Sequence, residues 1–256
     1  MSSLVIGVVL ASAVMAGSVI YFDSLRELAL DRTLKQLPIT KIDILSRVER
    51  GPTNRVEHDL VSEIVNSEVD QRVSWLLRDR HRVGKTATFF LTPPGQEDLA
   101  GEDNARTYFA FLPELLDRAE IVQGALPSEQ PVPNPDVPLQ LEALVPFESA
   151  QTYGVQVGDV FSAVPHWDDR IPYVSVVVSG IVKETDPGAE YWHVQPGVLN
   201  AATGPSFRTV PFYISESTFL DALGPAFFSM DSVYAWLLAV EPSRLNAGNA
   251  RLAQQS

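Results

Sequence analysis

From Leu4 to Phe22 the chain runs through 19 positions without a charge. A helix rises 1.5 Å per residue, so this run covers about 28 Å, close to the thickness of a bilayer's hydrocarbon core. The pattern predicts a transmembrane helix over 4–22. A cleaved signal peptide is the rival reading, but its apolar core is shorter and follows a basic segment. Met1-Ser2-Ser3 holds no cation. Gly7 with Ala11, and Ala13 with Gly17, set small residues four apart, a spacing that lets membrane helices approach closely, although Gly and Ala are also common in such helices. Helical spacing then resumes. Leu25, Leu28, Leu34 and Leu37 follow one stripe up to Pro38, which predicts a stalk helix over 23–37.

Beyond Pro38 the pattern alternates between periods. Ile39 to Val48 reads as a strand, with Ile42 and Ile44 on one side, and Gly51-Pro52-Thr53-Asn54 as a turn. Val56 to Leu77 carries apolar residues at helical intervals: Val56, Leu60, Val61, Ile64, Val65, Val69, Val73, Leu76 and Leu77. Thr86 to Thr92 is a strand closed by Pro93-Pro94-Gly95. Tyr108 to Leu112 extends a further strand, and Pro113 to Ala119 is a short helix. Five prolines between Ala125 and Pro138 mark an extended connector. Strands follow over Leu139–Val145, Val160–Val164, Tyr173–Val182, Val210–Ile214 and Tyr234–Val240. Short helices are expected over Phe147–Tyr153, capped by Gly154, and over Ser217–Leu223, with a last helix from Pro242 to Gln255. Phe219 to Val240 is apolar, but Asp221, Pro225 and Asp231 interrupt it and exclude a second membrane span.

This order predicts an α+β fold: one N-terminal transmembrane helix followed by an extracytoplasmic domain of mixed β-α-β units in two subdomains. The expected divisions are the transmembrane helix 4–22, the stalk 23–37, a first α+β subdomain 38–125, a second, β-rich subdomain 126–213, and a return to the first over 214–256.

Composition narrows the function. Charged residues make up 20% of the 256 and hydrophobic residues 45%, so most of the chain should fold. The net charge of −13 argues against nucleic acid and against a polybasic lipid-binding face. With no cysteine there is no disulfide, thiolate metal site or thiol chemistry. Arg26, Arg32 and Lys35 follow the apolar run and none precedes it, which by the positive-inside rule puts the C-terminal side in the cytoplasm. Asp23, Glu27 and Asp31 offset those cations, and we expect a basic segment upstream of Met1.

Candidate chemistry is sparse. Val83-Gly84-Lys85-Thr86 resembles the end of a phosphate loop, but the motif needs a glycine where Asp79 stands. It reads as a turn into a strand, and nucleotide chemistry is expected on a partner chain. Glu57-His58-Asp59 and His166-Trp167-Asp168-Asp169 have catalytic composition, but adjacent charges in so acidic a chain usually form solvated surface. Gly204-Pro205-Ser206-Phe207-Arg208 lacks the second glycine of a nucleophile elbow. Asp168 and Asp169, with Glu184 and Asp186, lack the calcium-loop spacing. Tyr191-Trp192 reads as packing. No catalytic, cofactor-binding or metal-binding residue is assigned, and no enzyme is expected.

Several segments taken in order carry a family resemblance. They are the apolar helix running into Tyr21-Phe22-Asp23-Ser24-Leu25, then Ile121-Val122-Gln123-Gly124-Ala125-Leu126-Pro127. After these come Phe147 to Tyr153 followed by Gly154-Val155-Gln156-Val157-Gly158-Asp159, Val178-Ser179-Gly180-Ile181-Val182, and finally Asp186-Pro187 and Tyr191-Trp192. Together they resemble the FtsX-like and MacB-like ABC-transporter permeases, in the first membrane helix and the extracytoplasmic core domain. The resemblance implies a bacterial plasma-membrane permease with most of this chain outside the cytoplasm. It implies a second permease copy, a cytoplasmic ABC ATPase subunit whose hydrolysis moves the outer domain, and an envelope protein or lipoprotein partner beside the lipid bilayer. Later membrane helices are missing, so the chain is expected to be a fragment. The alternative is a single-pass membrane-anchored binding module. An anchored hydrolase is a third reading, which no residue constellation supports.

Overall fold

The structure is a computed structural model that describes residues 21–22, 24–38, 41–128, 138–167, 173–194, 202–204, 207–246 and 248–249. The chain divides into two compact units, one of residues 1–44, 67–79 and 239–256, the other of 45–66 and 80–238.

In the first unit, residues 24–36 form helix α1, and Leu37 and Pro38 lie past its end. Asp31 and Lys35 pair one turn apart on it. Elsewhere in this unit the Glu241 N–H donates to the Leu76 carbonyl at 2.9 Å, and the Arg244 guanidinium to that of Leu77 at 2.6 Å. The Val240 N–H donates to the Asp43 carboxylate at 3.0 Å.

The elements of the sheet are β1 (Ile44–Gly51), β2 (Leu77–Thr86), β3 (Phe89–Thr92), β4 (Ala105–Phe111), β5 (Ala119–Gly124), β6 (Leu139–Pro146), β7 (Val160–Pro165), β8 (Val174–Glu184), β9 (Ala202–Gly204), β10 (Phe207–Tyr213) and β11 (Ser232–Val240). The helices are α2 (Arg55–Arg72), α3 (Leu115–Arg118), α4 (Phe147–Tyr153) and α5 (Gly224–Ala226), the last entered through a π-helical turn at Thr218–Leu223.

Six strands close on themselves in the order β4-β3-β7-β8-β6-β10, because β10 also pairs with β4. That closing pair is parallel, with Phe212 opposite Phe109. β6 and β8 are also parallel, joined through α4 and β7. Closure removes the free edges that an open sheet would expose. From β4 the sheet continues through β2 and β11 to β1, β9 extends β10, and β5 pairs with β8. This corrects the fold expectation. In place of a transmembrane helix plus mixed β-α-β units, the described residues form a six-stranded β-barrel with added strands. Pairing between β4 and β10, about a hundred residues apart, decides that outcome, and no local pattern encodes it. Among the described residues no helix is long and apolar enough to cross a membrane. Residues 4–20 of the expected span lie outside them.

The strand expected over Tyr108–Leu112 is β4, and it is buried on both faces. Phe109 and Phe111 are buried with other phenylalanines, while Tyr108 and Ala110, on the opposite face, belong to a second buried cluster with Leu144, Tyr191 and Tyr213. Both faces are covered, so the strand lacks polar alternation. Phe89 of β3 meets Phe109 at 5.3 Å between ring centres, and Phe212 of β10 meets Phe109 at 6.0 Å and Phe161 of β7 at 6.2 Å. Full burial of each such ring contributes about 1.5–3 kcal/mol.

α4 forms where expected, and Gly154 closes it in the left-handed region at φ 70°. Other elements differ. The helix expected over Val56–Leu77 stops at Arg72, and Leu77 begins β2. β2 reads LRDRHRVGKT, and its charges mask the alternate burial of Leu77, His81 and Val83. Along the first part of α2 the apolar stripe is not the buried one. Val56, Leu60 and Ile64 are 81%, 58% and 55% exposed, whereas His58 and Ser62 are buried. Among the described residues past Glu241, the expected helix is limited to the turn Pro242–Arg244; residues 247 and 250–256 lie outside the described set.

Candidate functional site

Among the described residues, the motifs singled out by composition do not assemble into a reactive centre. Gly84-Lys85-Thr86 lies inside and at the end of β2, not in a loop. The Lys85 ammonium sits 4.1 Å from the centre of the Tyr108 ring, and burial lowers its pKa. The Tyr191 hydroxyl donates to the Pro113 carbonyl at 2.5 Å, and the Trp192 ring N–H to the Asp186 carbonyl at 2.8 Å. The Asp186 carboxylate accepts from the Gly188 N–H, closing its own turn. Asp168 and Asp169 lie outside the described residues. His166 is held by the Thr88 carbonyl, 2.7 Å from its Nδ1. Among the described residues no cluster of three or more His, Cys, Asp or Glu has the arrangement of a metal site.

His58 is the most suggestive of these residues. Its Nδ1 lies 3.0 Å from the Asp59 carboxylate, and its Nε2 lies 3.3 Å from the Ser62 hydroxyl. This is the connectivity of a Ser-His-Asp chain, with Ser62 one helical turn beyond His58. The ring, however, is wedged against Tyr234 at 4.8 Å and Phe111 at 6.2 Å. Ser62 is buried and lines neither of the two cavities described below. A nucleophile must reach a substrate carbonyl beside oxyanion donors, and this geometry serves packing of α2 instead.

The larger cavity, of about 740 Å³, opens where β4, β6 and β10 converge. Its floor is apolar: Leu112 beyond β4, Leu115 and Leu116 of α3, Leu144 of β6, Ile214 beyond β10 and Ala222 of the π-helical turn. Leu116 and Leu126 are 49% and 51% exposed, unlike the buried residues beneath them. Tyr213 closes the base. Burial pushes its hydroxyl pKa well up, with further contributions from the neighbouring Tyr108 hydroxyl.

The rim is polar and built from short-range hydrogen bonds. The Ser215 hydroxyl accepts from the Thr218 N–H at 3.0 Å and lies 2.8 Å from the hydroxyls of Ser217 and Thr218. This starts the π-helical turn, a conformation that recurs at functional sites. The turn presents Asp221 to Arg55, which grips it through two hydrogen bonds of 2.7 and 2.6 Å. Those hydrogen bonds hold the Asp221 carboxyl below its ordinary pKa and raise that of Arg55. Gly224 ends the turn against the backbone of Thr53, where a Cβ would strike the Thr53 carbonyl oxygen. On another wall, Ser128 donates its N–H and hydroxyl to Glu142 of β6 at 2.8 and 2.9 Å, which lowers the Glu142 pKa.

Among the described residues, four carboxylates line this cavity, from Glu114, Asp117, Glu216 and Asp221, and no Lys or Arg does. Glu216 is paired with Arg82 at 2.7 Å, and Asp221 with Arg55. Glu114 takes a left-handed backbone conformation, φ 65°, just before α3. For a non-glycine residue this is uncommon and mildly strained, and it tends to be kept where the surroundings require it. Glu114 also lines a smaller cavity of about 300 Å³ with Asn66, Arg80, His81, Arg82, Pro113 and Trp236. Sequence reading missed this whole site. Its residues come from five separate segments, and its one local signal was Ser215-Glu216-Ser217-Thr218 preceding a short apolar helix.

No family model matches the chain, and no curated protein matches it. Among solved structures the chain is similar to a domain of a protein named as a permease from Porphyromonas gingivalis. The two are 12% identical with a TM-score of 0.34, and the match covers 86% of each chain. At that score the likeness supports no structural conclusion.

Proposed function

We propose that this chain is the binding domain of a permease-type protein of the bacterial plasma membrane, displayed outside the cytoplasm. It acts by holding a partner molecule in the cleft at the end of its barrel, not by transforming it. The observation that carries this reading is the cleft itself. A cavity of about 740 Å³ with an apolar floor and a few placed polar groups has the size and make-up of a ligand site. The ordered sequence features from Ile121 to Trp192 that resemble FtsX-like and MacB-like permeases supply the transport context. In that context a separate cytoplasmic ABC ATPase subunit drives movement of the domain, a second permease copy completes the assembly, and an envelope protein or lipoprotein is what the domain engages.

The test is site-specific photo-crosslinking in bacterial cells. A photoreactive side chain at position 116 or 126 is expected to capture a discrete product, and the same group at Leu60, which does not line the cleft, is expected not to. Equal capture at all three positions, or none at 116 and 126, overturns the reading.

A further inference from the structure

The cleft's charge identifies the class of molecule it takes. Its floor is hydrocarbon, and among the described residues every ionisable side chain that lines it, apart from the Tyr213 hydroxyl, is a carboxylate. Arg55 and Arg82 neutralise Asp221 and Glu216 from outside the lining. Asp117 has no ion pair among the described residues. The neighbour of Glu114 is His81, whose Nδ1 lies 3.8 Å away and which carries charge only when protonated. Neither Glu114 nor Asp117 is paired with a Lys or Arg among the described residues. Glu114, in its left-handed backbone conformation just before α3, lines this wall as well as the smaller cavity.

Resting on the binding reading above, we infer that the cleft selects cationic amphiphiles, with an alkyl or aryl body against Leu115, Leu116 and Leu126 and an ammonium or guanidinium group facing Glu114 and Asp117. An anionic amphiphile meets the same floor but is repelled at the rim. A small hydrophilic cation gains only a weak surface ion pair.

The experiment measures binding of three ligands by calorimetry to the 256-residue chain: decyltrimethylammonium, decyl maltoside and decanoate, each below its micelle concentration. Exposed ion pairs contribute about 0.2–1 kcal/mol each, so two carboxylates should favour the cation over the neutral ligand by roughly 2- to 30-fold. That preference should shrink as salt rises from 50 to 500 mM. E114Q/D117N is expected to abolish the preference. E57Q/E63Q changes the net charge equally on α2 and is expected to leave it intact, which separates the cleft from general attraction to an acidic protein. L116N and L126N are expected to weaken all three ligands.

If the neutral and cationic ligands bind alike and both depend on Leu116 and Leu126, the charge inference is wrong and the binding cleft stands. If E57Q/E63Q acts as strongly as E114Q/D117N, the preference is not a property of the cleft and the inference also fails. If no ligand binds, or L116N and L126N change nothing, both readings fail.

Discussion

Adding one methyl group at Gly84 gives a sharp test of how the sheet and the α2 core fit together. Gly84 of β2 pairs directly with Phe111 of β4. A Cβ there would run into the Phe111 ring. The ring has little room to yield, since it packs edge-on against Phe219 at 5.1 Å and His58 at 6.2 Å. Overpacking of this kind costs about 1–3 kcal/mol. Replacing glycine also stiffens the unfolded chain, which returns about 0.4–1 kcal/mol. Gly84→Ala should therefore destabilise by about 1–2 kcal/mol net, a fall in Tm of roughly 2–8 °C for a domain of this size. Phe111→Leu alone should cost under about 1.5 kcal/mol, because it keeps most of the volume. Combining the two should relieve the clash, so the double variant should be more stable than additivity predicts by about 1–3 kcal/mol. Urea unfolding of all four proteins measures the coupling. Additive losses, or a Gly84→Ala protein at the wild-type midpoint, would refute the reasoning.

Other predictions follow the same logic. Phe212→Ala, at a fully buried ring between Phe109 and Phe161, should cost about 3–5 kcal/mol in the same urea assay. Burial raises the pKa of Tyr108, Tyr191, Tyr213 and Tyr234 above the ordinary 10.0. Above that pH the unfolded chain sheds protons that the native state keeps, so stability should be intact below pH 10 and fall as pH rises beyond it. Tyr191→Phe should lower stability at pH 8 by about 1 kcal/mol through the lost hydrogen bond to Pro113, yet flatten the decline measured between pH 9 and 11. The Arg55–Asp221 pair has side chains 40% and 50% exposed, so Asp221→Asn should cost no more than about 1 kcal/mol, less at 0.5 M salt. Because that pairing lowers the Asp221 pKa from 3.8, its contribution should be fully present above that pH and be lost as pH falls below it through the lowered native value.

By itself the sequence determined the pieces whose causes lie within a few residues. The Phe147–Tyr153 helix with its glycine cap, the β-branched run that became β8, and the stop at Pro38 all follow from local propensity, turn chemistry and missing backbone donors. It also determined the strong acidity and the absence of thiol chemistry. Only the tertiary structure decided the rest. Leu77 reads as the end of a helix and Val83-Gly84-Lys85-Thr86 as a turn into a strand, whereas both lie in β2, because a strand's identity there depends on pairing with β4. The exposed stripe of α2 looked like its core face because helical periodicity marks an apolar face without saying which face meets the sheet. The barrel closes through Phe109 opposite Phe212, and the cleft joins Glu114, Leu126, Tyr213 and Asp221. Residues so far apart along the chain share no local pattern, and they meet because burying aromatic surface on both faces of β4 outweighs the entropy of closing the loops between them.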